Sequence, residues 1–410
     1  MGGSLISHDN LILLELVAQA LHPDYVAKNA AMSFESRTDG SEIDWSKVYS
    51  AASATKVTSL VYDVVRMRDD IPKDVLACFK KDASQMLQIS YKLWLTTRFI
   101  CKKIEDAGIP VVVLKGPVVS AYFPTAEYRK SGDIDIVVPS SKMQEVGAIL
   151  EKMGYEFERE TAPHIEYSNH EGIEVEVHRL MSEPLPDERA NKLLEEMVSD
   201  GLNRRTFLSL DGELKFPVFP EEINAFELIV HMLQHFYMGG FGIRLLCDWV
   251  AFLEHDNSQE VIEKVCEFVE DFRVKNFVSI VTNICVRYLG LSAEKAAPFI
   301  TEKVDEKMAD NMLFDILQAK EFGFSNDRGM VALSDASFMG LVKGFHHQMK
   351  CNHPKTSKCV LLWPVLWVVT LVVFMRNNKR IRNVKTIDVI RKAMKRADSV
   401  NAGSLQIFKK

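Results

Sequence analysis

The stretch that most restricts how this chain can fold is Asp133-Ile134-Asp135-Ile136-Val137-Val138. Acid alternating with β-branched residue suits a strand with one buried apolar face, since strand side chains point to opposite sides with a period of two. Ile134 and Ile136 then pack behind while Asp133 and Asp135 project together. Carboxylates that close repel unless a cation lies between them, and a divalent metal is a common remedy. Ile173–His178 repeats the device, placing Glu174, Glu176 and His178 on one face of a second strand. If the two strands are neighbours, Glu176 or Glu174 completes a three-carboxylate metal site.

Around these strands the texture is β-like only between residues 109 and 182. Ile109–Leu114 is a short β-branched run, and Lys115-Gly116-Pro117 opens what reads as a helix to Phe123. Such a junction suits a phosphate: Gly lets backbone approach, a helix N-terminus favours anions and Lys115 adds charge, with Arg129 as a second cation. Ser140 or Ser141 is expected to cap a helix ending at Gly154, and three strand-like stretches follow, at 155–161, 164–168 and 173–178.

Before and after this island the periodicity is helical. Helices are expected from Leu13 to Leu21, over 46–67 and over 74–107 with Gly108 as C-cap; beyond Glu188 the chain is helical except for a hairpin near Leu210-Asp211-Gly212. The expected divisions are a helical region 1–108, an α/β core 109–182, a helical domain 183–345 and an apolar helix with basic tail, 346–410. Seven scattered cysteines fit free thiols better than a disulfide framework, and no secretory signal is visible at the N-terminus, so a cytoplasmic protein is expected.

The residues Leu114-Lys115-Gly116, Tyr122-Phe123-Pro124, Arg129, Gly132-Asp133-Ile134-Asp135 and Glu176-Val177-His178 resemble the uncharacterised nucleotidyltransferase family of bacteria, within the polymerase-beta-like superfamily. The pattern is similar to that of toxin-type nucleotidyltransferases with a KGG…R…D-x-D arrangement. His231…His235…Leu245-Leu246-Cys247-Asp248 and the late run Leu361–Trp367 resemble the family's later portion. Two departures are a Lys115-Gly116 in place of the superfamily's Gly-Ser, and Arg179 where relatives often carry Trp.

The resemblance implies an α+β fold, a small mixed-sheet nucleotidyltransferase core flanked by helical regions, and transfer of a nucleoside monophosphate from an NTP to an unidentified acceptor: small molecule, sugar or protein. Asp133, Asp135 and Glu176 would hold two Mg²⁺ ions, with Mn²⁺ as an alternative, and Glu176 could take the acceptor's proton. Lys115, Gly116, Gly132 and Arg129 would bind the nucleotide. Glu174, His178 and Asp248, the last as an acceptor contact, are secondary candidates. The rival readings are a D-x-D glycosyltransferase, which should carry a Rossmann-like half before the motif, and a catalytically silent, membrane-peripheral interaction protein.

His231 and His235 have metal-binding i, i+4 spacing but sit among Leu and Phe without a HExxH glutamate, and read as packed core residues. The irregular His346, His347, Cys351, His353, Cys359 set does not read as zinc.

Charge is distributed unevenly. From Arg376 onward there are 11 Lys/Arg against two acids, a local +9 that leaves −15 on the remainder. The acidic body does not suit binding along a phosphate backbone, the basic tail could touch nucleic acid, anionic lipid or the body itself, and no specific nucleic-acid binding is expected. Before the basic tail lie 17 uncharged residues, Cys359–Met375, short for spanning a ~30 Å hydrocarbon core and interrupted by Pro364. A helix packed on the acidic body is expected, ahead of one lying against anionic membrane and of a spanning one.

Overall fold

The alternation of the two acidic stretches is realised in neighbouring strands of one seven-stranded sheet, seen in a computed structural model that describes residues 6–22, 42–161, 163–185, 187–210, 212–238, 240–301, 304, 306–318, 338–353, 356–380, 390, 405, 407 and 408. The strands are β1 (Val112–Leu114), β2 (Ile134–Val137), β3 (Tyr155–Glu160), β4 (His164–Asn169), β5 (Glu174–His178), β6 (Thr206–Leu210) and β7 (Leu214–Val218), in spatial order β3-β4-β5-β2-β1-β7-β6. β2 pairs in parallel with β5 and β1 with β7; the β1–β2, β3–β4, β4–β5 and β6–β7 pairs are antiparallel. The fold is the mixed-sheet α+β architecture expected, but the sheet draws β6 and β7 from beyond residue 182. The hairpin at 210–212 docks through β7 onto β1, burying Phe216 and Val218.

The longer helices are α1 (His8–Leu21), α2 (Trp45–Ala54), α3 (Lys73–Asp106), α4 (Gly116–Ser120), α5 (Met143–Lys152), α6 (Glu188–Asn203), α7 (Glu221–Met238), α8 (Ile243–Glu254), α9 (Gln259–Asp271), α10 (Lys275–Tyr288), α11 (Glu306–Gln318), α12 (Phe338–Asn352) and α13 (Trp363–Arg380). The helix expected over 46–67 is broken: α2 stops at Ala54, Lys56 turns left-handed at φ 59° and a single turn follows at Tyr62–Val65. α5 starts through a 3₁₀ turn at Ser140–Lys142, without a serine side-chain cap. α4 ends at Ser120 rather than Phe123, so little helix dipole reaches Gly116.

Strand alternation sorts the two faces of the sheet. Ile134, Ile136, Ile165, Tyr167, Val175, Val177 and Phe216 share one apolar cluster with Trp94 and Ile100 of α3 and Val146 and Leu150 of α5. The opposite face bears His164, Glu166, Asp135, Glu176 and His178, and α7 and α8 bring Glu227 and Asp248 toward it. The second, larger apolar cluster joins α1, α7, α8 and α10. Glycine makes one close approach possible in it: a Cβ on Gly201 of α6 would lie 2.4 Å from the Phe219 ring. Gly201→Ala is expected to cost about 1–3 kcal/mol by overpacking; an unchanged urea midpoint would show that the ring has room to move.

The apolar C-terminal segment does not pack as expected. In α13 and the turn before it, Val360, Leu361, Leu362, Val365, Val368, Val369, Leu371, Val372, Val373 and Met375 are all exposed. The basic tail beyond residue 380 lies almost wholly outside the described residues.

Candidate active site

β2 and β5 run parallel with Asp135 opposite Glu176, so their acidic faces coincide. Asp133 precedes the first paired residue and is only partly buried, while Asp135 and Glu176 are buried at 5% and 8% exposure. Glu174, at the start of β5, is exposed. Between the two alternatives for a third carboxylate, the fold therefore places Glu176 beside Asp135.

The carboxylates meet nitrogen from two sides. His178 Nε2 lies 2.9 Å from Asp135 Oδ1 and 3.2 Å from Glu176 Oε2. His164, directly across the β4–β5 ladder from His178, brings its Nε2 to 3.7 Å from Glu176 and 2.7 Å from Glu166. Among the described residues, His164, Glu176 and His178 form the set of His, Cys, Asp or Glu side chains whose ligand atoms converge within 4.8 Å. His164 is absent from the expected site because nothing local marks it; only the register of β4 on β5 delivers it.

Lys115 caps the other side. Its Nζ stands 3.9 Å from Asp135 and 3.8 Å from Glu227 of α7. The residue takes φ 49°, ψ −128°, a left-handed conformation uncommon without glycine, and the next residue, Gly116, is also positive at φ 36°. The turn thus accepts local strain to direct an ammonium into the cluster. Glu227 was not expected; its signal was a helical stripe, Glu227, His231, His235, every fourth residue along an apolar helix. His231 and His235 pair through their Nε2 atoms at 2.9 Å and line the body as packed histidines do.

Arg129 is engaged differently from the phosphate cation expected. Its Nε and Nη2 donate to the two Asp248 oxygens of α8 at 2.7 and 2.9 Å, Nη1 donates to Ser131 Oγ, and both side chains of the ion pair are about 2% exposed. Asp248 is thereby a partner for Arg129, and the pair clamps the loop before Asp133 onto α8. Arg244, one turn earlier on α8, has its Nη1 3.4 Å from the Lys130 carbonyl and forms no ion pair among the described residues.

Electrostatics divide the D-x-D pair. The charge on Asp135, then burial and Glu176, push the Asp133 carboxyl up to about 7. Burial opposes ionisation of Asp135 as well, but Lys115 and the His178 hydrogen bond outweigh it and hold that carboxyl well below its usual range. For His178 burial favours the neutral ring, yet hydrogen bonds to Asp135 and Glu176 raise it to about 9. Burial likewise opposes charge on Lys115, and Asp135, Glu227, Asp133 and Glu176 together overcome it, raising the group. The negative charge of the cluster is met by the Lys115 ammonium and the His178 ring, while Asp133 is pushed toward its neutral form. Asp133, Asp135 and Glu176 are the carboxylates that could hold a divalent cation: the negative charge of Asp135 and Glu176 that raises Asp133 is what such an ion would offset, and Glu176 also belongs to the converging set with His164 and His178.

Residues 41–290 match the family described as uncharacterised nucleotidyltransferase. The chain belongs to that family. Among solved structures, an antigenic nucleotidyltransferase-like protein from Paracoccidioides brasiliensis is similar at 14% identity, covering 52% of this chain and 96% of that one, with a TM-score of 0.30. No match was found among the curated proteins.

Two expected outcomes test this electrostatic arrangement. Asp248→Asn leaves the Arg129 guanidinium buried without its counter-ion and is expected to cost about 3–5 kcal/mol in urea denaturation, with Arg129→Met/Asp248→Leu recovering most of it. A loss below about 1 kcal/mol would mean that water reaches the pair. Burial, against Lys115 and with Asp135 and Asp248, pushes Glu227 up to about 7. A carboxyl raised on folding contributes stability below its unfolded value, and that contribution is lost as pH rises through the folded one. Glu227→Gln is therefore expected to match the native protein near pH 5 and to exceed it by about 1–3 kcal/mol near pH 8; parallel stability curves would refute the raised value.

Proposed function

We propose that this member of the nucleotidyltransferase family transfers a nucleoside monophosphate from an NTP to an acceptor hydroxyl, using Mg²⁺, or Mn²⁺ in its place. The observation that carries the reading is the parallel β2–β5 register, which sets Asp135 beside Glu176 on the polar face, with Asp133 immediately before it. The acceptor oxygen forms its bond to the α-phosphorus as the bond to pyrophosphate breaks, and the acceptor's proton passes to a base.

Asp133, Asp135 and Glu176 would hold the metal. Bound there, it would neutralise triphosphate charge and lower the pKa of the acceptor hydroxyl. Glu176 is a candidate to receive the proton, its charge balanced by His178 at 3.2 Å. Lys115 contributes an ammonium that needs no net desolvation on nucleotide arrival, since its place among carboxylates is already formed. With Arg129 committed to Asp248, Arg244 takes over as the guanidinium for the departing phosphates: it lowers the Asp133 carboxyl by its charge and has a buried Nε without a partner. The glycosyltransferase alternative is less well supported, because a long helix, α3, precedes β1, and β1 runs antiparallel to β2 where a doubly wound half would be parallel.

The test is incubation with each α-³²P-labelled NTP, Mg²⁺ and cell extract, beside a parallel assay of sugar-nucleotide turnover. Label transfer is expected, lost by more than about 100-fold in Asp133→Asn, Asp135→Asn and Glu176→Gln and retained in Glu174→Gln. In EDTA, Asp133→Asn is expected to raise the melting temperature and Asp135→Asn to lower it, since one carboxyl is crowded by charge and the other is held by Lys115 and His178. Sugar-nucleotide turnover, or transfer that survives Asp135→Asn, would overturn the proposal.

A further inference from the structure

α13 reverses the usual distribution of polarity. Trp363 and Trp367 turn inward onto His346 of α12: the ring of Trp363 lies 4.5 Å from the imidazole, and Trp367 Nε1 donates to His346 Nδ1 at 3.1 Å. Thr370, one turn on, is buried at 2% exposure. The remaining faces carry Val365, Val368, Val369, Leu371, Val372, Val373 and Met375, exposed by 41–61%, and the preceding turn adds Leu361 at 88%. Monomeric water-soluble proteins rarely leave a contiguous apolar surface of that kind open, so it has an occupant.

Charge identifies the occupant. The apolar run is bracketed by cations. Lys350, Lys355 and Lys358 precede it in sequence, and Arg376, Lys379, Arg380, Arg382, Lys385, Arg391, Lys392, Lys395 and Arg396 follow it against one acid, Asp388. Lys350 sits over the Trp363 ring at 5.3 Å, placing a cation beside an aromatic anchor at the edge of the apolar surface. An apolar helix face with Lys350 and Arg376 at its two ends, in a sequence rich in Lys and Arg on either side, suits the boundary between acyl chains and anionic headgroups. No helix among the described residues is long and apolar enough to cross a membrane, so the helix would lie in the interface.

We propose that the α12–α13 hairpin docks the protein onto the surface of an anionic bilayer, with Val365, Val368 and Val372 among the inserted residues and Lys350 and Arg376 toward the headgroups. A body that carries −15 outside this tail would be repelled by the same anionic surface, so attachment would rest on this segment.

The experiment is flotation of the full chain with vesicles of phosphatidylcholine alone or containing phosphatidylglycerol, at low and high salt, with light scattering of the protein without lipid. Binding is expected to the anionic vesicles alone, to weaken by about tenfold or more at high ionic strength, and to fall at least as far in Val368→Gln/Val372→Gln. Both positions are exposed, so that variant should melt like the native protein. Three results would overturn the proposal: no flotation with anionic vesicles, flotation undiminished in the double variant, or a lipid-free oligomer that the double variant dissolves, which would make a second copy of the chain the occupant. Flotation that resists both salt and carbonate would replace interfacial docking with insertion across the bilayer.

Discussion

The contact on which the rest of this arrangement depends is the burial of Arg129 against Asp248. Two opposite charges almost wholly removed from water repay their desolvation only when the geometry is close, and here both carboxylate oxygens are met. The pair ties the loop that enters β2 to α8, and α8 also carries Arg244 and packs beside α7 with Glu227. With the loop fixed there, Asp135 faces the helices and Lys115 stands between Asp135 of the sheet and Glu227 of α7. The sheet's polar face is thus covered by helices that supply cations, a neutral or ionised acid and histidines, rather than by an apolar layer.

The local pattern announced most of the core. Period-two alternation was enough to give β2 and β5 and the face each acid takes on its own strand, and a run of helical periodicity was enough for α1, α3 and the helices beyond 188; that Asp135 stands beside Glu176 comes from the β2–β5 pairing. What the pattern could not give was anything set by pairing between distant segments. His164 enters the site only because β4 and β5 align it with His178, and Glu227 only because α7 crosses over Lys115. Arg129 read as a free cation for the same reason: its partner lies 119 residues away. The break after α2 was hidden because Ala51, Ala52, Ala54 and Lys56 are good helix formers, and the left-handed Lys56 leaves no mark in composition.

The D-x-D motif itself is electrically unequal. Asp135 is enclosed by Lys115 and His178, whereas Asp133 stands at the strand entrance and meets chiefly the negative charge of its neighbours. One carboxyl is therefore held charged by its neighbours and the other is pushed toward its neutral form. Equal residues two positions apart on one face differ in their surroundings, Asp135 buried between Lys115 and His178 and Asp133 only partly buried before the strand begins.

The long reach of the Arg129–Asp248 pair also bears on how the chain is made. During synthesis β1 and β2 emerge well before β5, and α8 later still, so the acids of the D-x-D motif exist for a time with neither Glu176 nor the clamp. A parallel pair such as β2–β5 cannot form until its crossover, α5 with β3 and β4, has been completed. The nascent N-terminal portion is consequently unable to set Asp135 beside Glu176, and the Arg129–Asp248 clamp closes only when the segment around residue 248 has left the ribosome.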